Sequence, residues 1–405
     1  MNTRIEPGPW LRASALIASA GTVLAIVSGA GHLGTAHRLI AALVAPPLAA
    51  LLVAAWLAHR ALVPGVLAAA ALFTAAAALP GRDAHAVFAA LALAALLVVS
   101  VQSLRGEHVP WGSWRDYVAL TKPRIMSLLL ITGFCGMIAG ARGWPGTGTA
   151  IAAMSGLALA CGGASALNHV LDRDIDPLMG ERTKKRPVAS GRVAPSRALE
   201  FGLSLSAFSF VLLASTVNVL TAVLALIGNL FYVLVYTRWL KRTTSQNIVI
   251  GGAAGAAPPV LGWVAVTNSV DPNALLLFLI IFAWTPPHFW ALAIARRHDY
   301  ARADIPMLPV THGVEFTRLH VLFYTVLLCV VTLLPYMTGM SGLVYLLAAA
   351  ALNGRFLWLA VALKRTRRDE LPMRMFRFSI TYLMWLFLAL LIDHYLPAAL
   401  PATLG

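Results

Sequence analysis

Asn168, Asp172 and Asp176 stand at i, i+4 and i+8 in the run NHVLDRDIDP, at the end of a long apolar block. At 3.6 residues per turn each step of four drifts by about 40°, so a continuous helix carries all three side chains on one face. Asp174 points elsewhere on such a helix. Hard oxygen donors at a helix end suit Mg²⁺, which takes one or two carboxylates and completes its shell with phosphate oxygens and water. Arg182, Lys184, Lys185 and Arg186 follow directly. Ligands for a metal beside cations for phosphate describe a diphosphate site. A helix running into a basic loop accounts for the cations equally well, but leaves three metal-type ligands at a membrane edge, where acidic groups are costly, unexplained.

Other residues could share that chemistry. Lys122, Arg124, Lys241 and Arg242 lie at the ends of apolar segments and could reach the same polar region. His288 follows Pro286–Pro287 in an apolar segment beside Trp284, Phe289 and Trp290. An intramembrane histidine is a candidate functional residue, although a proline-broken helix also frees carbonyls that an imidazole can satisfy. Gly251, Gly252 and Gly255 follow Asn247, and suit close helix packing or a gap for an apolar chain. His37 and His85 open two apolar segments near the N-terminus. A four-helix bundle with paired histidines can clamp a heme through its axial positions.

The elements that must hold these residues are membrane helices. Of 405 residues, 59% are hydrophobic and 12% charged, against about a quarter charged in a typical soluble domain. The apolar residues fall in blocks close to or above the roughly 18 residues a span needs. Thirteen helices are expected, near residues 13–31, 38–57, 62–79, 86–103, 125–140, 148–170, 198–217, 219–237, 247–266, 273–294, 317–336, 342–363 and 377–397. The fold expected is an all-α polytopic transmembrane bundle. The polar linker Ser103–Asp116 divides it into a four-helix segment, residues 1–108, and a nine-helix body, residues 109–405.

The net charge of +15 does not call for nucleic acid. With the N-terminus in the cytoplasm, 27 of 31 Lys and Arg fall in or beside cytoplasmic segments, which is the positive-inside pattern. The cell membrane, a cytoplasmic N-terminus and an external C-terminus are therefore expected. Both long polar loops, 171–197 and 295–317, then face the cytoplasm. Cys135, Cys161 and Cys329 lie apart, without metal or heme-attachment spacing.

The run NHVLDRDIDPLMGERTKKRP resembles the metal-binding motif of the intramembrane (UbiA-type) prenyltransferases related to 4-hydroxybenzoate polyprenyltransferase. In its fuller form it is similar to the protoheme IX farnesyltransferase (heme O synthase) family. LTKPRI at 120–125, the block from Tyr236 to Trp263 and the block from Thr285 to Gly313 match in the same order. The resemblance covers roughly residues 115–397. It implies Mg²⁺ as cofactor, farnesyl diphosphate and protoheme IX as substrates, and the lipid bilayer as surroundings. It implies Asn168, Asp172, Asp176 and Asp299 as metal-binding and catalytic residues. Lys122, Arg124, Arg182, Lys185, Arg186, Lys241, His288 and Tyr300 are then the substrate-binding set. Wider relatives carry a second DxxxD motif; here position 303 is Ala, and Asp304 contributes only if the helix ends or bends before Ile305–Pro306. The segment HRLIAALVAPPLAALLVAAWLAHR further resembles half of heme A synthase, a possible partner.

Three rival readings carry different chemistry. A quinone-precursor prenyltransferase would share the metal site, and the PPHFWALA and IPMLPV blocks argue against it. A transporter would place its polar residues at mid-membrane and not at one surface. A heme-binding membrane cytochrome built on His37 and His85 leaves the body's motifs without a role.

Overall fold

The computed structural model describes residues 9–30, 35–58, 62–78, 82–105 and 112–396, and no strand occurs among them. The first four helices are α1 (Pro9–Ala30), α2 (Thr35–Ala58), α3 (Val63–Ala78) and α4 (Arg82–Arg105). A short α5 (Trp114–Leu120) leads to α6 (Pro123–Ala141) and α7 (Thr147–Leu171). After the one-turn helices α8 (Asp176–Met179) and α9 (Glu181–Lys184) come α10 (Pro195–Thr216), α11 (Val219–Leu230) and the small α12 (Lys241–Thr243). Next are α13 (Asn247–Thr267), α14 (Pro272–Ala295) and the short α15 (Arg297–Arg302) and α16 (Leu308–Thr311). The chain closes with α17 (Val314–Val331), α18 (Leu334–Met337), α19 (Leu343–Arg365) and α20 (Leu371–Tyr395).

Among the described residues twelve segments are long and apolar enough to cross a membrane, nine of them after residue 112, and the chain is a multi-pass membrane protein. The thirteenth expected helix, α3, has 16 residues. At 1.5 Å per residue it reaches about 24 Å, short of the roughly 30 Å hydrocarbon core. The expected helix at 219–237 changes character midway. Residues Phe231–Leu240 form a π-helix that continues α11, and the Thr237 hydroxyl donates to the Tyr232 carbonyl five residues back at 2.9 Å. Prolines do not break α14 or α13: Pro286–Pro287 and Pro258–Pro259 lie inside continuous helices. Neighbouring packing holds the helix where the proline nitrogens cannot donate.

The chain forms two compact units. The first comprises Met1–Met126, Ile151–Asp174 and Arg182–Asn229. In it α1 packs on α2 and α4, α3 on α4, and α4 along α10. The expected boundary at 108/109 lies outside the described residues, and the first unit continues past it. The second comprises Ser127–Ala150, Ile175–Glu181 and Leu230–Gly405. There α14 packs against α13, α17 and α20, and α19 against α17 and α20. Asp393 near the end of α20 accepts hydrogen bonds from the free amides of Gly342, Val344 and Tyr345 at the start of α19. A carboxylate at that helix N-terminus satisfies donors that have no partner within the helix. At the other end of α19, Lys364 lies 3.8 Å from Glu315, in the first turn of α17. The two contacts fix α19 antiparallel to both neighbours.

Candidate functional site

Lys122 sits on the corner between α5 and α6 with φ of 51°, a left-handed conformation that a residue with a Cβ adopts only at a cost. Pro123 follows it as the first residue of α6, where a missing amide hydrogen is harmless. The corner is clamped by one face of α7. Gly162 leaves room for Thr121, Ser165 donates to the Leu120 carbonyl at 2.6 Å, and Lys122 Nζ donates to Asn168 Oδ1 at 2.8 Å. Asn168 Nδ2 then donates to Asp172 Oδ2 at 2.8 Å. A chain thus runs from an ammonium through an amide to a carboxylate, and Asn168 and Asp172 are both buried. An ion pair relayed through an amide lets a carboxylate stay charged where water is excluded.

The continuous helix expected through Asp176 is not formed. Helix α7 ends at Leu171, residues 172–175 form turns, and Asp176 opens α8. Pro177 explains the restart, since proline fits the first turn of a helix. The amide of Asp172 still bonds to the Asn168 carbonyl at 2.9 Å, so the i, i+4 neighbourhood survives to that point. Asp176 is buried and Asp174 is exposed. Downstream, Arg182 and Lys185 are exposed and Arg186 half-buried. This basic loop is folded back: Arg192 pairs with Asp116 of α5 at 2.8 Å and donates to the Lys185 carbonyl at 3.0 Å.

The second acidic region is built from short elements. Asp299 on α15 pairs with Arg302 one turn on, and Arg302 also donates to the Met179 carbonyl at 3.2 Å. The Asp299 carboxylate lies against Gly180, where a Cβ would meet it at 3.4 Å and where φ is 156°. Helix α15 ends at Arg302, before Asp304, which takes φ of 50° and is exposed. Tyr300 is half-buried. Arg302 escaped the sequence reading, although its i, i+3 spacing from Asp299 was available as a clue.

Lys241 directly follows the π-helical stretch, in which Tyr232 and Tyr236 stack 5.5 Å apart. Such stretches often accompany functional sites. Of the three glycines behind it, Gly251 makes room for Tyr236 and Gly252 for Thr285, while Gly255 faces open space. Asn247 at the start of α13 is fully buried, with neither side-chain polar atom hydrogen-bonded among the described residues. His288 lies between the faces of Trp284 and Phe376, 4.1 and 4.6 Å away, and its Nδ1 meets the Ser379 hydroxyl at 2.6 Å. Ser379, and not a freed helix carbonyl, satisfies this ring. Arg124 is exposed at the start of α6.

In the N-terminal helices the rings of His37 and His85 stand 5.7 Å apart, nearly perpendicular. His37 Nδ1 is bonded to the Ala25 carbonyl of α1 and His85 Nδ1 to the Ala76 carbonyl of α3, at 2.9 and 2.6 Å. Both bonds place the ring hydrogen on Nδ1, since a carbonyl only accepts.

The oxygen donors Asn168 and Asp172 of the first unit, and Asp176 and Asp299 of the second, are each of the kind that suits a hard cation such as Mg²⁺. Among the described residues no three His, Cys, Asp or Glu side chains form a metal cage by themselves. An ion held by either pair would complete its shell from phosphate and water.

Residues 129–391 match the sequence pattern described as the UbiA prenyltransferase family. The chain belongs to the UbiA prenyltransferase family. It is 54% identical over 288 residues to "Protoheme IX farnesyltransferase" of Marinobacter nauticus, covering 71% of this chain and 95% of that protein. To the protein of that name in Legionella pneumophila it is 55% identical over 282 residues, 70% and 96% of the two chains. Among solved structures, one on digeranylgeranylglyceryl phosphate synthase superposes with a TM-score of 0.59 at 18% identity, covering 69% of this chain and 98% of that one. A UbiA homolog from Archaeoglobus fulgidus bound to GPP and Mg²⁺ superposes at 0.51 and 14% identity, covering 68% and 99%. These likenesses establish the UbiA-type fold.

Proposed function

We propose that this UbiA-family chain transfers a farnesyl group from farnesyl diphosphate to a vinyl group of protoheme IX. The observation that carries this reading is the identity of 54% with a protoheme IX farnesyltransferase along 95% of that relative. The Lys122–Asn168–Asp172 chain, buried at Asn168 and Asp172, supports a charged site that existing contacts hold in place. The ligands proposed for Mg²⁺ are Asn168, Asp172, Asp176 and Asp299, with Asp304 a lesser contributor. When bound, Mg²⁺ neutralises charge on the departing diphosphate.

Lys122, Arg124, Arg182, Lys185, Arg186 and Lys241 hold the diphosphate of the donor, and Tyr300 and His288 belong to the substrate-binding set. Cations fixed before the reaction stabilise charge that grows on the leaving oxygens without having to reorganise. As the allylic carbon–oxygen bond breaks, the vinyl π electrons form the new carbon–carbon bond. Water adds its oxygen to the resulting cationic carbon and loses a proton, and diphosphate leaves. An apolar, aromatic surrounding keeps water from the allylic fragment before transfer.

The cell membrane with a cytoplasmic N-terminus and an external C-terminus is part of this reading, supported by the cation distribution. So are a separate four-helix membrane segment at residues 1–108 and heme A synthase as a partner that takes up the product. The test is the purified protein with farnesyl diphosphate, Mg²⁺ and heme, read by product mass. A farnesylated, hydrated heme is expected. Prenylation of a quinone precursor in its place, or no prenylation at all, overturns the assignment.

A further inference from the structure

His169 lies on α7 between Asn168 and the Asp172 turn, and is 2% exposed. It shares a helical face with Ser165 and Asp172, which are four and three residues away. Yet neither Nδ1 nor Nε2 has a hydrogen-bond partner among the described residues. A neutral imidazole carries one donor and one acceptor, and burying both without partners is costly. Native interiors rarely leave such a group unsatisfied unless something else supplies the bond. The charged side chains that act on this ring are Lys122 and Arg186, both cations. Lys122 is the group that also holds Asn168. A buried donor within the field of two cations is a setting for anionic oxygen.

We propose that His169 donates a ring N–H to an oxygen of the bound diphosphate and so acts as a further binding residue for the prenyl donor. The orphan donor of the buried ring is then explained: its bond is completed only when the anion arrives. The inference rests on the proposed function only in taking diphosphate as the anion. A heme propionate would offer the same oxygen chemistry, and the experiment separates the two.

Full-length protein in detergent with Mg²⁺ is titrated with inorganic pyrophosphate by calorimetry, and separately with heme by absorption. His169→Phe keeps a ring without a hydrogen bond and should weaken pyrophosphate binding tenfold or more, the scale of a bond to a charged group. His169→Gln keeps a donor and should recover most of that loss. Heme affinity should stay unchanged in both. Pyrophosphate binding equal to wild type in the Phe variant overturns the proposal, as does a loss confined to heme. Should the Phe variant not fold, the imidazole nitrogen resonances of the wild-type protein decide: a pyrophosphate-induced shift at His169 supports the bond and its absence refutes it. Because pyrophosphate binding needs no heme, an error in the assigned acceptor leaves this result standing.

Discussion

The two acidic regions of the body are built in opposite ways. Around Asn168 and Asp172 the side chains are buried, belong to or adjoin a 25-residue helix, and are joined to Lys122 by bonds that cross from α7 to the α5–α6 corner. Around Asp299 the elements are one or two turns long, the carboxylate side chain is 29% exposed, and its cation Arg302 is 62% exposed. Exposed pairs contribute little to stability, whereas a buried charge that loses its partner is penalised heavily. The first region is therefore a fixed frame. The second can rearrange at small cost when a ligand arrives.

Substitutions can break that contrast. The largest effect is expected from Asp172→Ala, which should lower turnover by about 10²–10³-fold, the scale of losing one preorganised electrostatic contact. Asp174→Ala, at an exposed turn position, should remain within about threefold of wild type. Both are read by farnesylated heme formed per unit of membrane-inserted protein; an essential Asp174 beside a dispensable Asp172 would show that the buried face is the wrong one. Next in size is Lys122→Met, which removes the ammonium donor to the Asn168 oxygen and should cost roughly 10–100-fold in kcat/KM, as for a hydrogen bond to a charged group. A Lys122→Met enzyme with full activity would separate the buried chain from the reaction.

Gly180→Val tests the second region. Its Cβ would press on the Asp299 carboxylate in a conformation that favours glycine. A rise in KM for farnesyl diphosphate of about fivefold to tenfold is expected, with kcat less affected, as for lost uniform binding. An equal fall in kcat alone would place Asp299 in the transition state and make the two regions alike. The smallest effect is expected at the N-terminal pair: His37→Ala should leave prenyl transfer unchanged. If the pair holds heme, purified wild-type protein shows a low-spin bis-imidazole spectrum that this variant loses; a colourless wild-type protein removes that role.

Much of this was legible from residue order because membrane helices are governed by composition. Uninterrupted apolar length decided where the nine helices of the body run, and cation placement suggested which ends share a side. Helical spacing placed Asn168 beside Asp172, and the structure bonds them. The same reasoning failed at Asp176, where a turn and a new helix replace the continuation, because Pro177 favours a helix start and no periodicity announces where the previous helix stops. The π-helix escaped for a related reason: the sequence period of a short π stretch is too close to that of an α-helix to be read by eye.

Chain order by itself determined the span count of the body, the acidic and basic character of its long loops and the family motif, since each is a local property of consecutive residues. Only tertiary structure decided that Lys122 reaches Asn168 across 46 positions, that His288 is held by Ser379 and that Arg302 joins Asp299 to the Met179 carbonyl. These partners are brought together by helix packing and loop closure, which depend on shape complementarity between distant segments and leave no periodic trace in any one of them.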